Sequence, residues 1–286
     1  RDISMKFSMY YGFTDNVLKM GIEKASEIAS QLGFSSVEMF ADLVSGETNN
    51  IEDVQTAIRA RKVLEQYKLP LCCYSVYVNL WRNPDGEKKL IKQVEIAAEL
   101  GSPYFHHTLL PWLTFSGSRP SYQQALEEIV EVAVRIAAYA DSLGVTCIYE
   151  DQGYYVNGVE GFRGFWDEMN KHCNNIGICG DLGNILFVNE KPEDFLKAYA
   201  QDICHVHIKD YLWKKTDFAP GKYWLRTKDG SWVRDTMIGD GVVDFEACLK
   251  LLKRIGYKGY FALENSHPEP YEEGVYQAME YLQRFW

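Results

Sequence analysis

Positive charge is scarce in this sequence: 30 Lys and Arg face 40 Asp and Glu, giving a formal net charge of −10 and a pI near 5.2. Nucleic acid and anionic membrane both require a basic footprint, so neither is an expected partner. Long apolar runs are missing as well. No stretch approaches the roughly 20 residues of a membrane span, and the opening Arg1-Asp2-Ile3-Ser4 carries no secretion-signal core. The seven cysteines, an odd number, contain no Cys-x-x-Cys pair, which excludes a zinc knuckle and a thioredoxin-type site. Most of them (Cys72, Cys73, Cys147, Cys179, Cys204) lie in apolar strand-like runs and read as buried, reduced thiols of a cytosolic protein. No Gly-x-Gly-x-x-Gly follows the first apolar run, and no Gly-rich phosphate cradle is present. What remains is a small, neutral or metal-chelating ligand.

The hydrophobic 47% of the chain is distributed in a regular alternation. Strands are predicted over 5–11, 36–40, 69–78, 104–109, 145–150, 176–181, 203–210 and 258–264. Between and after them, helices are predicted over 21–31, 51–66, 87–100, 122–143, 161–171, 192–200, 245–255 and 271–285. Four joints share one form, an aliphatic residue followed by Gly (Leu32-Gly33, Leu100-Gly101, Leu143-Gly144, Ile255-Gly256), as a left-handed residue closing a helix requires. The near-continuous apolar run 69–78 suits a strand buried on both faces. Eight strand-then-helix units with no internal boundary imply an α/β fold, a single (β/α)8 TIM barrel spanning 1–286. An open doubly wound sheet is the alternative. One segment breaks the rhythm: 211–243 is long, without hydrophobic periodicity, and rich in aromatic and basic residues such as Trp213, Lys214, Tyr223, Trp224 and Arg226. It is expected to be a long loop inserted after the seventh strand, serving as a lid over the substrate or as a subunit contact.

Four late strands each end in a metal-type donor: Glu150, Asp181, His207 and Glu264. In a barrel the last inward-facing position of each strand is where catalytic groups belong, and these four share inward parity with Ile148, His205 and Ala262. Three carboxylates and an imidazole form a hard-to-borderline set suited to Mn2+, with Mg2+ or Co2+ as alternatives. His205 reads as a core histidine. Tyr10, Phe40, Tyr74, Trp81 and Trp112 lie at or beyond early strand ends and form a candidate aromatic pocket wall; His107 and Lys209 are candidate substrate contacts.

The segments Ile148-Tyr149-Glu150, Gly180-Asp181-Leu182-Gly183-Asn184, His205-Val206-His207-Ile208-Lys209-Asp210, Ile238-Gly239-Asp240-Gly241-Val242-Val243-Asp244-Phe245 and Ala262-Leu263-Glu264 resemble the sugar phosphate isomerase/epimerase family of xylose-isomerase-like TIM barrels. That family includes ketose 3-epimerases, hydroxypyruvate isomerases and inosose dehydratases. The resemblance implies that Glu150, Asp181, His207 and Glu264 hold the metal and that Glu150 and Glu264 also act as acid and base. Family members often carry, three residues after the Asp, a His that contacts substrate oxygens; this chain has Asn184 there, an amide able to donate and accept hydrogen bonds but not to titrate near neutrality. A divalent ion would stabilise an enediolate formed beside a carbonyl. Proton return to the opposite face is epimerisation, return to the adjacent carbon is isomerisation, and loss of a β substituent makes the enzyme a lyase or dehydratase. The residues serve all three. Endonuclease IV-type enzymes, which share the barrel, need additional histidines that this acidic, six-histidine chain lacks. A non-catalytic sugar-binding barrel, or one subunit of a homo- or hetero-oligomer, is the reading from a different class.

Overall fold

The computed structural model describes residues 4–41, 51–111, 119–264 and 271–286. Eight parallel strands close a barrel: β1 (Phe7–Met9), β2 (Ser36–Phe40), β3 (Leu71–Val76), β4 (Tyr104–His107), β5 (Thr146–Glu150), β6 (Ile176–Asp181), β7 (Ile203–Ile208) and β11 (Phe261–Leu263). Each strand pairs with its neighbours in sequence, and β1 closes the ring by pairing with both β2 and β11. Helices α1 (Tyr11–Met20), α2 (Ile22–Gln31), α3 (Val54–Gln66), α4 (Pro84–Glu99), α5 (Tyr122–Ser142), α6 (Val159–His172), α7 (Pro192–Ala198), α8 (Phe245–Arg254) and α9 (Tyr271–Gln283) follow the strands.

Local chemistry accounts for these boundaries. In α5 the apolar residues Leu126, Ile129, Ala133, Ile136 and Ala140 recur at helical spacing and are buried, and Ser121 with Gln124 closes a capping box at its start. Asn83 caps α4 ahead of Pro84, and Asp244 caps α8 by accepting from the Ala247 amide at 2.9 Å. The expected closing glycines Gly33, Gly101, Gly144 and Gly256 all have positive φ, between 74° and 85°. The whole of β3 is buried, as its continuous apolar run implies.

The structure departs from the sequence reading in two places. A single helix is expected after β1, but two are present, because Gly21 at φ 86° breaks the run and the chain turns helical directly after Tyr10. The segment 211–243 is no structureless loop. Its strands β8 (Asp210–Lys214), β9 (Leu225–Arg226) and β10 (Trp232–Thr236) form an antiparallel sheet in the order β8-β10-β9. These strands pair with one another through their backbones and lie mostly at the surface, so they carry no alternating apolar signature.

The arm is tied to the mouth of the barrel. Tyr154 donates its hydroxyl to the Arg226 carbonyl, the Lys228 amide donates to the Phe187 carbonyl at 2.8 Å, and Tyr211 packs edge-on to Phe187 at 5.6 Å. Between sheet and helices lies an apolar layer typified by Phe162, packed edge-on against Phe165, Phe195 and Tyr199. Inside the barrel, Cys72, Cys73, Ile148 and Cys179 cluster with Tyr104, Cys204 and Tyr260. Two residues further along three of these strands the interior turns polar, at Ser75, Glu150 and Asp181.

Candidate metal centre

Glu150 is the last residue of β5, Asp181 the last of β6, His207 the penultimate residue of β7, and Glu264 directly follows β11. All four point to one place. A ligand atom from each lies within 4.8 Å of the other three, and all four residues are buried. His207 presents Nδ1 to the cluster, at 3.1 Å from Glu150 Oε1, 3.4 Å from Glu264 Oε2 and 3.9 Å from Asp181 Oδ2. The parallel register explains the convergence: Asp181 lies beside His207 across β6 and β7, and His207 beside Ala262 across β7 and β11.

Two other sequence candidates join this group. Asn184 donates its amide to Glu150 Oε1 at 3.0 Å and accepts from Lys209 Nζ at 2.9 Å, which fixes the orientation of the amide. Lys209 Nζ lies 3.1 Å from Asp181 Oδ2 and 3.0 Å from Glu264 Oε2. His107 does not join them. It faces the helix layer, edge-on to Tyr149 at 5.5 Å, and its Nδ1 bonds the Thr108 carbonyl. Its neighbour His106, of opposite parity, turns inward instead, with Nε2 3.2 Å from Glu150 Oε2. Trp112 lies outside the described residues. Of the candidate aromatic wall, Tyr10 stacks on His207 at 5.0 Å and Phe40 meets Tyr11 at 5.9 Å, whereas Tyr74 points outward to Gln93.

Sequence reasoning missed the group beneath the cluster. Glu38 in β2 is fully buried; its Oε2 lies 2.7 Å from His205 Nε2 and its Oε1 2.8 Å from His207 Nε2 and 2.9 Å from Ser75 Oγ. A signal was available: a glutamate between Val37 and Met39 in a buried strand needs partners. Asp151, also buried, accepts from the Asp181 amide at 2.9 Å and so braces β6.

Electrostatics divide the carboxyl groups. Burial pushes the Glu150 carboxyl up, but the imidazoles of His106 and His207 beside it outweigh that and hold the group well below the usual range. Burial pushes Asp181 well above that range, with Glu150 and Glu264 adding to the rise against the pull of Lys209. Burial likewise works against the charge on Lys209, which Asp181 and Glu264 more than restore.

These residues fit a divalent cation. Asp181 Oδ2 and Glu264 Oε2 are buried without a hydrogen bond, since the nearby ammonium of Lys209 is close to both but out of line. Donors about 2.1 Å from an ion sit about 3 to 3.5 Å from one another, the range that the His207 contacts to Glu150 and Glu264 occupy. Glu38, Cys72 and His205 also lie near one another. At 2.7 Å, however, Glu38 and His205 share a hydrogen bond and leave no room for an ion between them.

Comparison with known proteins agrees with this architecture. The family model described as xylose isomerase-like TIM barrel matches residues 26–285. Curated relatives include an inosose dehydratase of Bacillus cereus (strain AH820), 32% identical over 92 residues; the match spans 31% of this chain and only 30% of that protein. Among solved structures, a D-allulose 3-epimerase from Methylomonas sp. superposes with a TM-score of 0.72 at 16% identity, covering 99% of this chain and 98% of that one. A 3-keto-D-glucoside 4-epimerase from E. coli gives 0.70 at 17% identity, covering 98% and 100%. At such identities the likeness is one of fold.

Proposed function

The chain belongs to the xylose isomerase-like TIM barrel family, and from that membership and the geometry at the barrel mouth we propose that it is a divalent-metal-dependent sugar isomerase or epimerase. The observation that carries the proposal is the meeting of Glu150, Asp181, His207 and Glu264 within 4.8 Å. Those four residues would hold the cation, Mn2+ first by donor type, with Mg2+ or Co2+ also suited. When bound, it supplies positive charge where a substrate carbonyl and its neighbouring hydroxyl become anionic.

The proton work falls to this chain's own groups. Glu150, held ionised by His106 and His207, is the base that takes a proton from the carbon beside the carbonyl. Glu264 approaches from a different sector, since β6 and β7 separate β5 from β11 in the barrel, and it returns a proton on its own side. Asn184 and Lys209 hold substrate oxygens, a role the titratable His of many family members would otherwise fill. The arm formed by β8, β9 and β10 walls the mouth beside β5 and β6, with its hold on Tyr154 and Phe187 as support.

A lyase or dehydratase is the second reading, favoured by the inosose dehydratase relatives. The same deprotonation followed by loss of a β substituent gives that reaction. The test is proton–deuterium exchange at the carbon beside the carbonyl, with Mn2+-loaded protein, keto sugars, 3-oxo-glycosides and inososes. Exchange with epimer or isomer formation is expected, and both EDTA and Glu264→Gln should abolish product. Release of a leaving group selects the lyase, and full activity of metal-free protein would sink both readings.

A further inference from the structure

The centre has a foundation that the proposed chemistry leaves unused. Glu38 is a fully buried carboxylate with three partners: Ser75 Oγ and His207 Nε2 on one oxygen, and His205 Nε2 on the other. A buried charge costs several kcal/mol of desolvation, about what an apolar side chain in the same strand would avoid. Glu38 touches no other member of the four-donor cluster. Its bond to His207 nevertheless decides something about that cluster, because a neutral imidazole, the form that can ligate a cation, presents a bare lone pair at Nδ1 when it donates through Nε2.

We propose that Glu38 is the positioning residue of the metal centre: by accepting the Nε2 proton of His207 it fixes the tautomer and the ring plane that turn Nδ1 toward Glu150, Asp181 and Glu264. This rests on the proposed function only in taking a divalent cation as the occupant. His205 anchors the second carboxylate oxygen, so that Glu38 cannot rotate away. Ser75 links the same carboxylate to His106 Nδ1 at 3.0 Å, and His106 Nε2 reaches Glu150 Oε2 at 3.2 Å. With the 3.1 Å contact from Glu150 Oε1 to His207 Nδ1, the chain of contacts closes into a ring running Glu150, His207, Glu38, Ser75, His106 and back. Glu150 Oε1, which accepts from the Asn184 amide, and His207 Nε2 are held before any ligand arrives, and His207 Nδ1 is left for it. Glu38, a carboxylate, accepts from both His207 Nε2 and Ser75 Oγ and has no proton to give, so it sets the direction of the His207 proton.

The test uses the full chain at fixed neutral pH and reads Mn2+ affinity from the electron paramagnetic resonance of free Mn2+. Glu38→Gln keeps the shape but sets an amide NH2 against one of the two imidazoles, and it should weaken Mn2+ binding by about 10- to 100-fold. Ser75→Ala removes only the third bond and should stay within about threefold of wild type. Long-range proton–nitrogen correlation of the metal-free wild type, at a pH high enough for His207 to be neutral, should show its proton on Nε2. Mn2+ affinity of Glu38→Gln within threefold of wild type, or a neutral His207 with its proton on Nδ1, would overturn the proposal. Should Glu38→Gln fail to fold, the tautomer in the wild type decides alone. A wild type that binds no Mn2+ removes the proposed function, while the Nε2 proton still reports on Glu38.

Discussion

Single side chains here are governed by which face of a strand they occupy. His106 and His107 are neighbours in β4, yet one reaches Glu150 and the other is sealed among aromatic rings. Burial lowers the His107 pKa to about 4. In the unfolded chain a histidine protonates near pH 6.5, so as pH falls through that value the unfolded state gains a proton that the folded state refuses. The stability tied to the neutral ring is therefore complete above about pH 6.5 and drains away toward pH 4. Between pH 7.5 and pH 5 this amounts to about 2 kcal/mol. Urea unfolding at the two pH values should show that much less acid sensitivity in His107→Gln than in wild type; equal sensitivity would place the acid-labile group elsewhere.

At the scale of elements, two segments far apart in the sequence prove to be one structure. The Asp210 carboxylate, at the start of β8, accepts from the amides of Gly239, Gly241, Val243 and Tyr211 at 2.9 to 3.2 Å. It thus pins the turn that leads into α8. A side chain at 241 is impossible without movement, since its Cβ would stand 2.2 Å from Asp210 Oδ1. Replacing Asp210 by Asn turns an NH2 against two of these donors, which should cost about 2–3 kcal/mol. Hydrogen exchange should quicken most at 239–243, ahead of the barrel strands. Uniform quickening across the barrel would argue that the turn is not a separate unit.

For the whole molecule, the barrel gathers more negative charge at its mouth than it neutralises. Asp181 is pushed toward protonation by burial and by two glutamates, a cost that a divalent cation would relieve. Mn2+ at about 100 times its Kd should stabilise the protein by about 2.7 kcal/mol and raise its melting temperature by several degrees. In Asp181→Asn that rise should vanish. The metal-free variant should melt no lower than wild type, because Asn keeps the acceptor for the amides of Gly183 and Asn184 while shedding the repelled charge. Calorimetry with and without Mn2+ checks both halves, and a lower metal-free melting point would show Asp181 to be structural.

The alternation of apolar runs and helical spacing sufficed for the barrel, and the repeated appearance of a donor at the end of late strands sufficed to bring Glu150, Asp181, His207 and Glu264 under suspicion together, because strand period and strand-end position are properties of local sequence. The arm was not legible, since its strands satisfy one another through the backbone and leave no pattern in the side chains. Nor was Glu38, which lies 167 residues from His205 and 169 from His207. Only closure of the barrel brings β2 level with β7 across the interior, and only there does a lone carboxylate in an apolar strand acquire partners that make its burial tolerable.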